Sequence, residues 1–170
     1  MNEEAYMTKF QSSETQAESY PVHHFTTARR TISETDIVNF VNLVGLHEPI
    51  FVDMEFIKEN MPETHWKRFA PAPMLISFGM GLVAPIIKGI LDTVLEGEKP
   101  GLIGGMTGVT ARVKSPAYPG DTLQVDVEAY IQKKTSRGYT LVDLRHIVKN
   151  QHGAVVIDFT ETVLYLPTME

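Results

Sequence analysis

The segment of residues 72–87, APMLISFGMGLVAPII, constrains the fold more than any other part of this 170-residue chain. It is apolar on nearly all sides, which is typical of a helix enclosed by other structure. It is shorter than the roughly 20 residues that span a bilayer, and charged side chains follow on the same segment. We therefore predict a buried core helix over residues 73–95, with Pro85 as a kink or break.

The second half of the chain has the pattern of an antiparallel sheet. The segment TLQVDVEAYI alternates apolar and polar residues, as a half-buried strand does. Turn sequences separate it from YTLVDLRHIV and from AVVIDFTETVLYL, so we predict three long strands joined by short hairpin loops. Residues 106–113 predict another strand, and residues 22–32 predict the first. The fold class is therefore α+β, with an antiparallel sheet of about five strands wrapped around a long central helix.

A helix with recognisable ends is predicted after the first strand. Ser33 and Asp36 have the spacing of a capping box, and an apolar face follows them at helical intervals. Gly45 ends this helix in the usual way. GLHEPIFVD is predicted to be a loop, and DMEFIKENM a short helix.

Length and composition predict one domain, residues 21–170, preceded by a flexible N-terminal arm, residues 1–20, rich in Glu, Ser, Gln and Thr. A net charge of −6 argues against a general nucleic-acid-binding protein. There are no cysteines, which is compatible with a reducing compartment, and the N-terminus has no secretory h-region. We expect a cytoplasmic protein with no nucleic-acid and no membrane partner.

Four segments together resemble the MaoC-like family of hot-dog proteins: ISETDIVNFVNLVG, PIFVDMEF, APMLISFGMGL and VKSPAYPGDTLQVDVE. This family comprises (R)-specific enoyl-CoA hydratases and 3-hydroxyacyl-thioester dehydratases. The resemblance implies a hot-dog fold and a substrate that is an acyl-CoA or a carrier-bound acyl thioester. It implies no cofactor beyond that thioester. It also implies a homodimer, or a heteromer with a catalytically complete hot-dog subunit.

The resemblance covers the family's hydration loop, which reads G-D-x-N-P-x-H-x-D. In the family, the Asp and the His of this loop hold a water and exchange protons with it. Gly45, Pro49 and Asp53 match the frame, but Leu46 and Phe51 occupy the Asp and His positions. Neither side chain can donate or accept a proton. We predict that both instead line an apolar substrate pocket.

A third departure from the family lies at the start of the central helix. Family members read H-G-M-L there, and the Gly N–H polarises the thioester carbonyl. The matching residues are Ala72, Pro73, Met74 and Leu75, and Pro73 has no N–H to donate. Removing one such donor lowers rates by about 10²–10³. We predict that Ala72, Pro73 and Met74 border the substrate pocket without an oxyanion donor.

His47 and Glu48 are the candidates for a relocated catalytic acid/base pair, because they lie next to the vacated positions and are of the right residue types. The alternative is that His47 faces solvent and that Glu48 is a helix-capping carboxylate. Basic side chains near the matching segments are candidates to contact the phosphates of the pantetheine arm. Arg68 and Arg112 are the predicted substrate-binding pair, and Lys67 and Lys114 lie beside them.

Several other polar residues are predicted to be structural. Asp36 and Asp53 are expected to cap helices, and Ser77 to pack within the central helix. His146 shares its strand face with apolar residues, which indicates a hydrogen-bonded, partly buried imidazole. The histidines show no ligand-like spacing, so we predict no metal site.

The residues and the resemblance leave two classes of function open. In the first class, the chain is either a lyase with a rearranged His47/Glu48 pair or a non-catalytic subunit that shapes the substrate tunnel of a heteromeric dehydratase. In the second class, it is an acyl-thioester-binding or regulatory module, or a tailoring enzyme that uses the same pocket for a different reaction. A fold does not by itself decide among these.

Overall fold

The computed structural model describes residues 20–64 and 66–168. The predicted N-terminal arm, residues 1–20, lies almost wholly outside this part of the chain. The described parts contain six strands and five α-helices. The strands are β1 (His23–Thr26), β2 (Arg30–Thr31), β3 (Gly101–Val113), β4 (Thr122–Lys134), β5 (Thr140–Lys149) and β6 (Val155–Pro167), and the helices are α1 (Glu34–Val44), α2 (Pro49–Val52), α3 (Met54–Asn60), α4 (Ala72–Val83) and α5 (Ile87–Val94).

The predicted α+β architecture is confirmed. The strands form an antiparallel sheet in the order β1-β4-β5-β6-β3, with β2 also paired to β4. The meander β4-β5-β6 is the one predicted from alternation. Leu123, Val125, Val127, Ala129 and Ile131 of β4 are all buried on the inner face of the sheet. The central helix α4 packs across that face, which is the hot-dog arrangement.

The first strand differs from the prediction of one continuous strand over residues 22–32. The structure has two short strands, and both pair with β4. Between them three residues stand opposite two residues of β4, because Thr26 pairs with Asp126 and Arg30 pairs with Leu123. The Thr27 hydroxyl accepts a hydrogen bond from the Val125 N–H at 3.0 Å, which replaces a ladder bond. The extra residue forms a bulge that ends β1.

Helix α1 begins and ends as its sequence predicts. Ser33 and Asp36 form a reciprocal capping box, with the Asp36 N–H donating to Ser33 Oγ at 3.0 Å and the Ser33 N–H donating to Asp36 Oδ2 at 2.8 Å. Gly45 terminates the helix at φ 74°, a left-handed conformation that glycine adopts without steric cost. The predicted loop GLHEPIFVD contains a helical turn, α2, that the sequence analysis missed. Asp53 caps α3 as predicted, accepting from the N–H groups of Glu55 and Phe56.

The central apolar segment is helical and broken where Pro85 predicts it. Helix α4 passes through a 3-10 turn, Ala84–Ile86, into α5. The expectation of enclosure on all sides is wrong for a single chain, since Ser77 and Gly81 are exposed. The segment Ala72–Val94 is long and apolar enough to cross a membrane, by length and composition only: an 18-residue window within it has a mean hydropathy of 1.9, and 33% of that window is buried. Its buried face packs on the sheet, so we interpret it as a core helix.

One contact fixes how closely α4 approaches the sheet. A Cβ atom at Gly79 would lie 2.7 Å from Cε1 of Phe159, so the helix backbone rests directly on that ring. Phe159 stacks on the imidazole of His146, with ring centroids 4.3 Å apart. His146 is hydrogen-bonded as predicted, with its Nδ1 2.9 Å from the Leu144 carbonyl oxygen, but it is fully buried where the sequence predicted partial burial.

Strand β3 is longer than predicted and forms one edge of the sheet. Its first residues, GLIGG, lack a strand pattern, but glycine permits close pairing: a Cβ at Gly104 would lie 2.6 Å from Leu166 Cδ1. The helix does not cover this strand. Val109 and Ala111 pair with the inner-face residues Glu161 and Phe159, yet both remain exposed. The inner face of β3 is therefore an uncovered apolar surface at the sheet edge.

Candidate functional site

The loop between α1 and α3 holds the two positions that matter most for the predicted chemistry. Leu46 is partly buried and packs against the hydrophobic core. Phe51 lies on α2, and its ring meets that of Phe69 edge to face, with centroids 5.5 Å apart. Helix α1 ends at its cap Gly45, and helix α3 begins after its cap Asp53. These two caps fix both ends of the loop, which lies beside the start of the central helix.

A cavity of about 380 Å³, the loop cavity, lies beside Phe51. It is walled by the loop and the start of α4 on one side and by the end of β3 on the other. None of the described residues that line it is Asp, Glu or His, and Lys114 is its one charged side chain. The lining residues are Phe51, Phe69, Ala70, Ala72, Leu75, Val113, Lys114, Ser115 and Pro116.

The structure separates His47 and Glu48 from that cavity. Both side chains are exposed to solvent, and neither lines it. Glu48 is the N-cap residue of α2, but its carboxylate makes no capping hydrogen bond. In this conformation neither His47 nor Glu48 is placed to transfer a proton to a ligand in the loop cavity. Their catalytic role stays a prediction.

The first three residues of the central helix lie in three different environments: a cavity, the surface and the core. Ala72 lines the loop cavity, Pro73 is exposed in the first turn of α4, and Met74 is fully buried in the core. The Pro73 carbonyl oxygen accepts a hydrogen bond from Ser77 Oγ at 2.9 Å, so Ser77 bonds within its own helix, but its side chain is exposed and not packed as predicted. Of the predicted substrate-binding residues, the structure brings Phe51 and Ala72 into one cavity.

The basic side chains predicted to contact phosphates lie in different environments. Arg68 is mostly buried and forms an ion pair with Glu34, with Nε 3.2 Å from Oε1 but without the alignment of a hydrogen bond. Arg112 is exposed on β3, and Lys114, just beyond the strand, lines the loop cavity. The pKa of Asp158 is lowered, mainly by its hydrogen bonds from Arg145 and also by the nearby charges of Lys114 and Arg112.

Sequence reasoning missed part of the cavity wall. Phe69, Ser115 and Pro116 line it, but only the turn between β3 and β4 brings the last two opposite the first. A larger cavity, about 670 Å³, lies at the far end of α5 and contains none of the predicted site residues. Within residues 20–64 and 66–168, no group of three His, Cys, Asp or Glu side chains could hold a metal ion.

A six-stranded antiparallel sheet with a central helix across its inner face defines a hot-dog protein. The chain belongs to the MaoC-like hot-dog proteins, and residues 19–159 match the family model described as "FAS1-like, dehydratase domain region". No curated protein matched the chain.

Solved structures share the architecture. The chain is similar to a monoamine oxidase regulatory protein from Archaeoglobus fulgius at 25% identity and a TM-score of 0.68, covering 86% of this chain and 90% of that one. It is similar to the (R)-hydratase PhaJ1 from Pseudomonas aeruginosa at 24% identity and a TM-score of 0.52, and the match covers 89% of this chain and 83% of that one. The HadBC (3R)-hydroxyacyl-ACP dehydratase complex of Mycobacterium tuberculosis matches at 17% identity and a TM-score of 0.61, covering 85% and 95%.

Proposed function

We propose that this chain binds an acyl thioester in the loop cavity and does not itself hydrate it, acting as the non-catalytic subunit of a hot-dog dehydratase. The observation that carries this proposal is the lining of the loop cavity. Phe51 occupies the position of the family's proton-transferring His, Ala72 directly precedes the Pro73 that replaces the N–H donor, and no described lining residue is Asp, Glu or His. A neutral, apolar wall suits an acyl chain better than it suits a water-activating site.

The thioester assignment is supported by the charge at the cavity mouth. Lys114 lines the cavity and Arg112 lies two residues before it on the exposed edge, so two cations are available to phosphate groups. Charge-assisted hydrogen bonds to phosphate are about twice as strong as neutral ones. The apolar wall would then take the acyl chain and the basic rim the phosphates of a CoA or carrier arm.

The exposed edge strand supports a subunit role. Strand β3 has 13 residues, and within the described residues only one of its two edges is paired, so the other edge invites pairing with another chain. Only Arg112 is charged among these residues, and it lies near one end. Two copies paired antiparallel about the middle of β3 would therefore bring no like charges together. A second hot-dog chain docked in this way would also cover the apolar inner face at Val109 and Ala111.

Two measurements on the purified chain test this function. We expect no hydration of crotonyl-CoA by the wild type, but calorimetric binding of crotonyl-CoA that weakens by about tenfold in Lys114→Glu. Lys88→Glu is the matched control, because Lys88 is exposed and lies outside the loop cavity. Absence of crotonyl-CoA binding, or equal binding by both variants, overturns the proposal.

A gain-of-function variant tests the missing chemistry. The triple variant Leu46→Asp, Phe51→His, Pro73→Gly restores the groups of the family's reaction, so we expect measurable hydration from it. Folding is checked by circular dichroism before the assay. A folded but inactive triple variant contradicts the alignment of the loop. Wild-type hydration that disappears in His47→Ala or Glu48→Ala shows instead that the acid/base pair has moved to those residues.

A further inference from the structure

A second cavity, the helix–edge cavity, lies between the second half of the central helix and strand β3. Its volume is about 430 Å³, within the ~300–1,000 Å³ range of small-molecule sites. Met80, Val83 and Ala84 form its helix wall, and Ile103 and Met106 form its strand wall. It shares no lining residue with the loop cavity.

One polar side chain interrupts this apolar lining. Glu161 of β6 lines the cavity and is 5% exposed. No other residue that the structure describes around the cavity is polar or charged. Helix α4, which packs over it, carries no charged residue. Burial raises the pKa of the Glu161 carboxyl group.

Behind Glu161 stands the imidazole of His146, which fixes the hydrogen-bonding character of the site. His146 Nδ1 lies 2.9 Å from a carbonyl oxygen, which can only accept, so Nδ1 carries the proton. Burial lowers the His146 pKa to about 4, which keeps the ring neutral near pH 7. Nε2 is therefore an acceptor, and it lies 3.5 Å from Glu161 Oε1, beyond an ordinary hydrogen bond.

When Glu161 is ionised, no donor therefore stands between the two facing acceptor atoms. Within the described residues, nothing donates a hydrogen bond to the Glu161 carboxyl group, and His146 Nε2 is buried without a partner. If Glu161 is ionised, the cavity meets a carboxylate. If Glu161 is protonated and its O–H points to Nε2, the cavity meets the carbonyl oxygen of the acid. In both protonation states the group at the cavity floor accepts a hydrogen bond.

We propose that the helix–edge cavity binds an apolar ligand that carries one hydroxyl group, and that the hydroxyl donates its hydrogen bond to Glu161. The ligand supplies the donor that the buried pair lacks. A ketone of the same length has no donor to offer. A carboxylate would bring a second negative group to a site without a cation. A primary ammonium would have to give up its hydration to enter an otherwise apolar cavity, which costs more than burying a neutral hydroxyl.

The consequence is a preference for alcohols that depends on Glu161. A ketone in the cavity leaves the Glu161 acceptor without a donor, so 1-octanol is expected to bind about tenfold more tightly than 2-octanone, which is about 1.4 kcal/mol. Octanoate is expected to bind more weakly than either. This preference is independent of thioester binding, because the two cavities share no lining residue. If the loop cavity does not bind a thioester, the expected preference at the helix–edge cavity is unchanged.

The test is calorimetric titration of the full-length wild type and three variants with 1-octanol, 2-octanone and octanoate. Glu161→Met keeps the length of the side chain and removes the acceptor, so the alcohol and the ketone should bind within about twofold of each other. Ala84→Phe fills the cavity from the helix side and should abolish binding of both. Glu59→Met removes a carboxylate from an exposed position on α3 and should leave the wild-type preference unchanged.

Every outcome decides the proposal. A tenfold preference for the alcohol that disappears in Glu161→Met and persists in Glu59→Met supports it. Equal binding of alcohol and ketone by the wild type overturns the donor requirement. A preference that survives in Glu161→Met places the alcohol elsewhere, and no binding of 1-octanol by the wild type overturns the site. Because Glu161→Met replaces a buried polar side chain by an apolar one, its folding is confirmed by thermal unfolding before titration.

Discussion

His146 and Glu161 face each other across 3.5 Å on the inner surface of the sheet, although they lie on different strands. The register between β5 and β6 brings them together: His146 pairs with Phe159 and Leu144 pairs with Glu161. The two titratable groups are therefore diagonal neighbours on one face, against the helix. Because both groups are buried and titratable and His146 Nε2 has no hydrogen-bond partner, this part of the core is sensitive to pH and to substitution.

Replacing Glu161 by Gln is expected to stabilise the protein by about 1–3 kcal/mol at pH 7. The amide NH₂ can donate to His146 Nε2, and the cost of burying a carboxyl group disappears. Burial raises the Glu161 pKa in the folded state, so the stability that Glu161 contributes at low pH is lost as the pH rises through that folded-state value. The gain from Gln should therefore shrink toward pH 4. Urea unfolding at pH 7 and pH 4 measures it.

The control for that substitution is Glu59→Gln, at an exposed position on α3. Surface substitutions of this kind usually change stability by less than about 0.5 kcal/mol. A gain from Glu161→Gln that is the same at both pH values would show that the buried carboxyl group does not titrate differently in the folded and unfolded states.

His146 is expected to make the fold less stable as the pH falls. Its pKa is lowered by burial from 6.5 to about 4, so the unfolded chain takes up a proton that the native ring does not. Stability present above about pH 6.5 should decline toward pH 4, by on the order of 3 kcal/mol. In His146→Phe this part of the decline should be absent, because Phe keeps a flat ring against Phe159 and does not titrate.

Chemical unfolding between pH 7.5 and pH 4 would measure that slope in the wild type, in His146→Phe and in His152→Gln. His152 lies exposed in the turn between β5 and β6, and its replacement should leave the slope unchanged. A wild-type profile with no decline below pH 6.5 would contradict a neutral buried imidazole.

Gly79→Ala should destabilise the protein by about 1–3 kcal/mol. The added Cβ would lie 2.7 Å from Phe159 Cε1, and that ring is held between the helix and His146. Gly89→Ala is a contrasting variant on α5, where a Cβ meets no atom within 4 Å. It should stabilise by about 0.5–1 kcal/mol through helix propensity alone. Thermal unfolding of both variants compares them, and effects of the same sign would refute the close packing.

The edge strand should mediate association. We expect the wild type to form a dimer in analytical ultracentrifugation and Ala111→Glu to be monomeric, because a charge on the uncovered inner face of β3 would have to be buried by the second chain. Leu43→Glu places the same charge on an exposed position of α1 and should remain dimeric. Dissociation by both variants, or by neither, would exclude β3 as the contact.

Local patterns in the sequence predicted much of this fold. The Ser33–Asp36 spacing indicated the start of α1, and alternation in residues 122–131 indicated the buried face of β4. These signals are short-range, since a cap or a strand face depends on neighbouring residues. The bulge at Thr27 was not predictable, because it depends on a hydroxyl that bonds to the backbone of β4. Pro85 was identified correctly as a break because proline removes a helical N–H wherever it stands.

At the candidate site, local patterns predicted the chemistry of individual residues but not their positions relative to one another. The sequence by itself determined that Leu46, Phe51 and Pro73 cannot transfer protons or activate a carbonyl, since that follows from their chemistry. It also placed His146 on a buried face. Only the tertiary structure decided that His47 and Glu48 point to solvent and that Glu161 lies against His146. Those relationships depend on loop packing and on the register between two strands, which no single segment encodes.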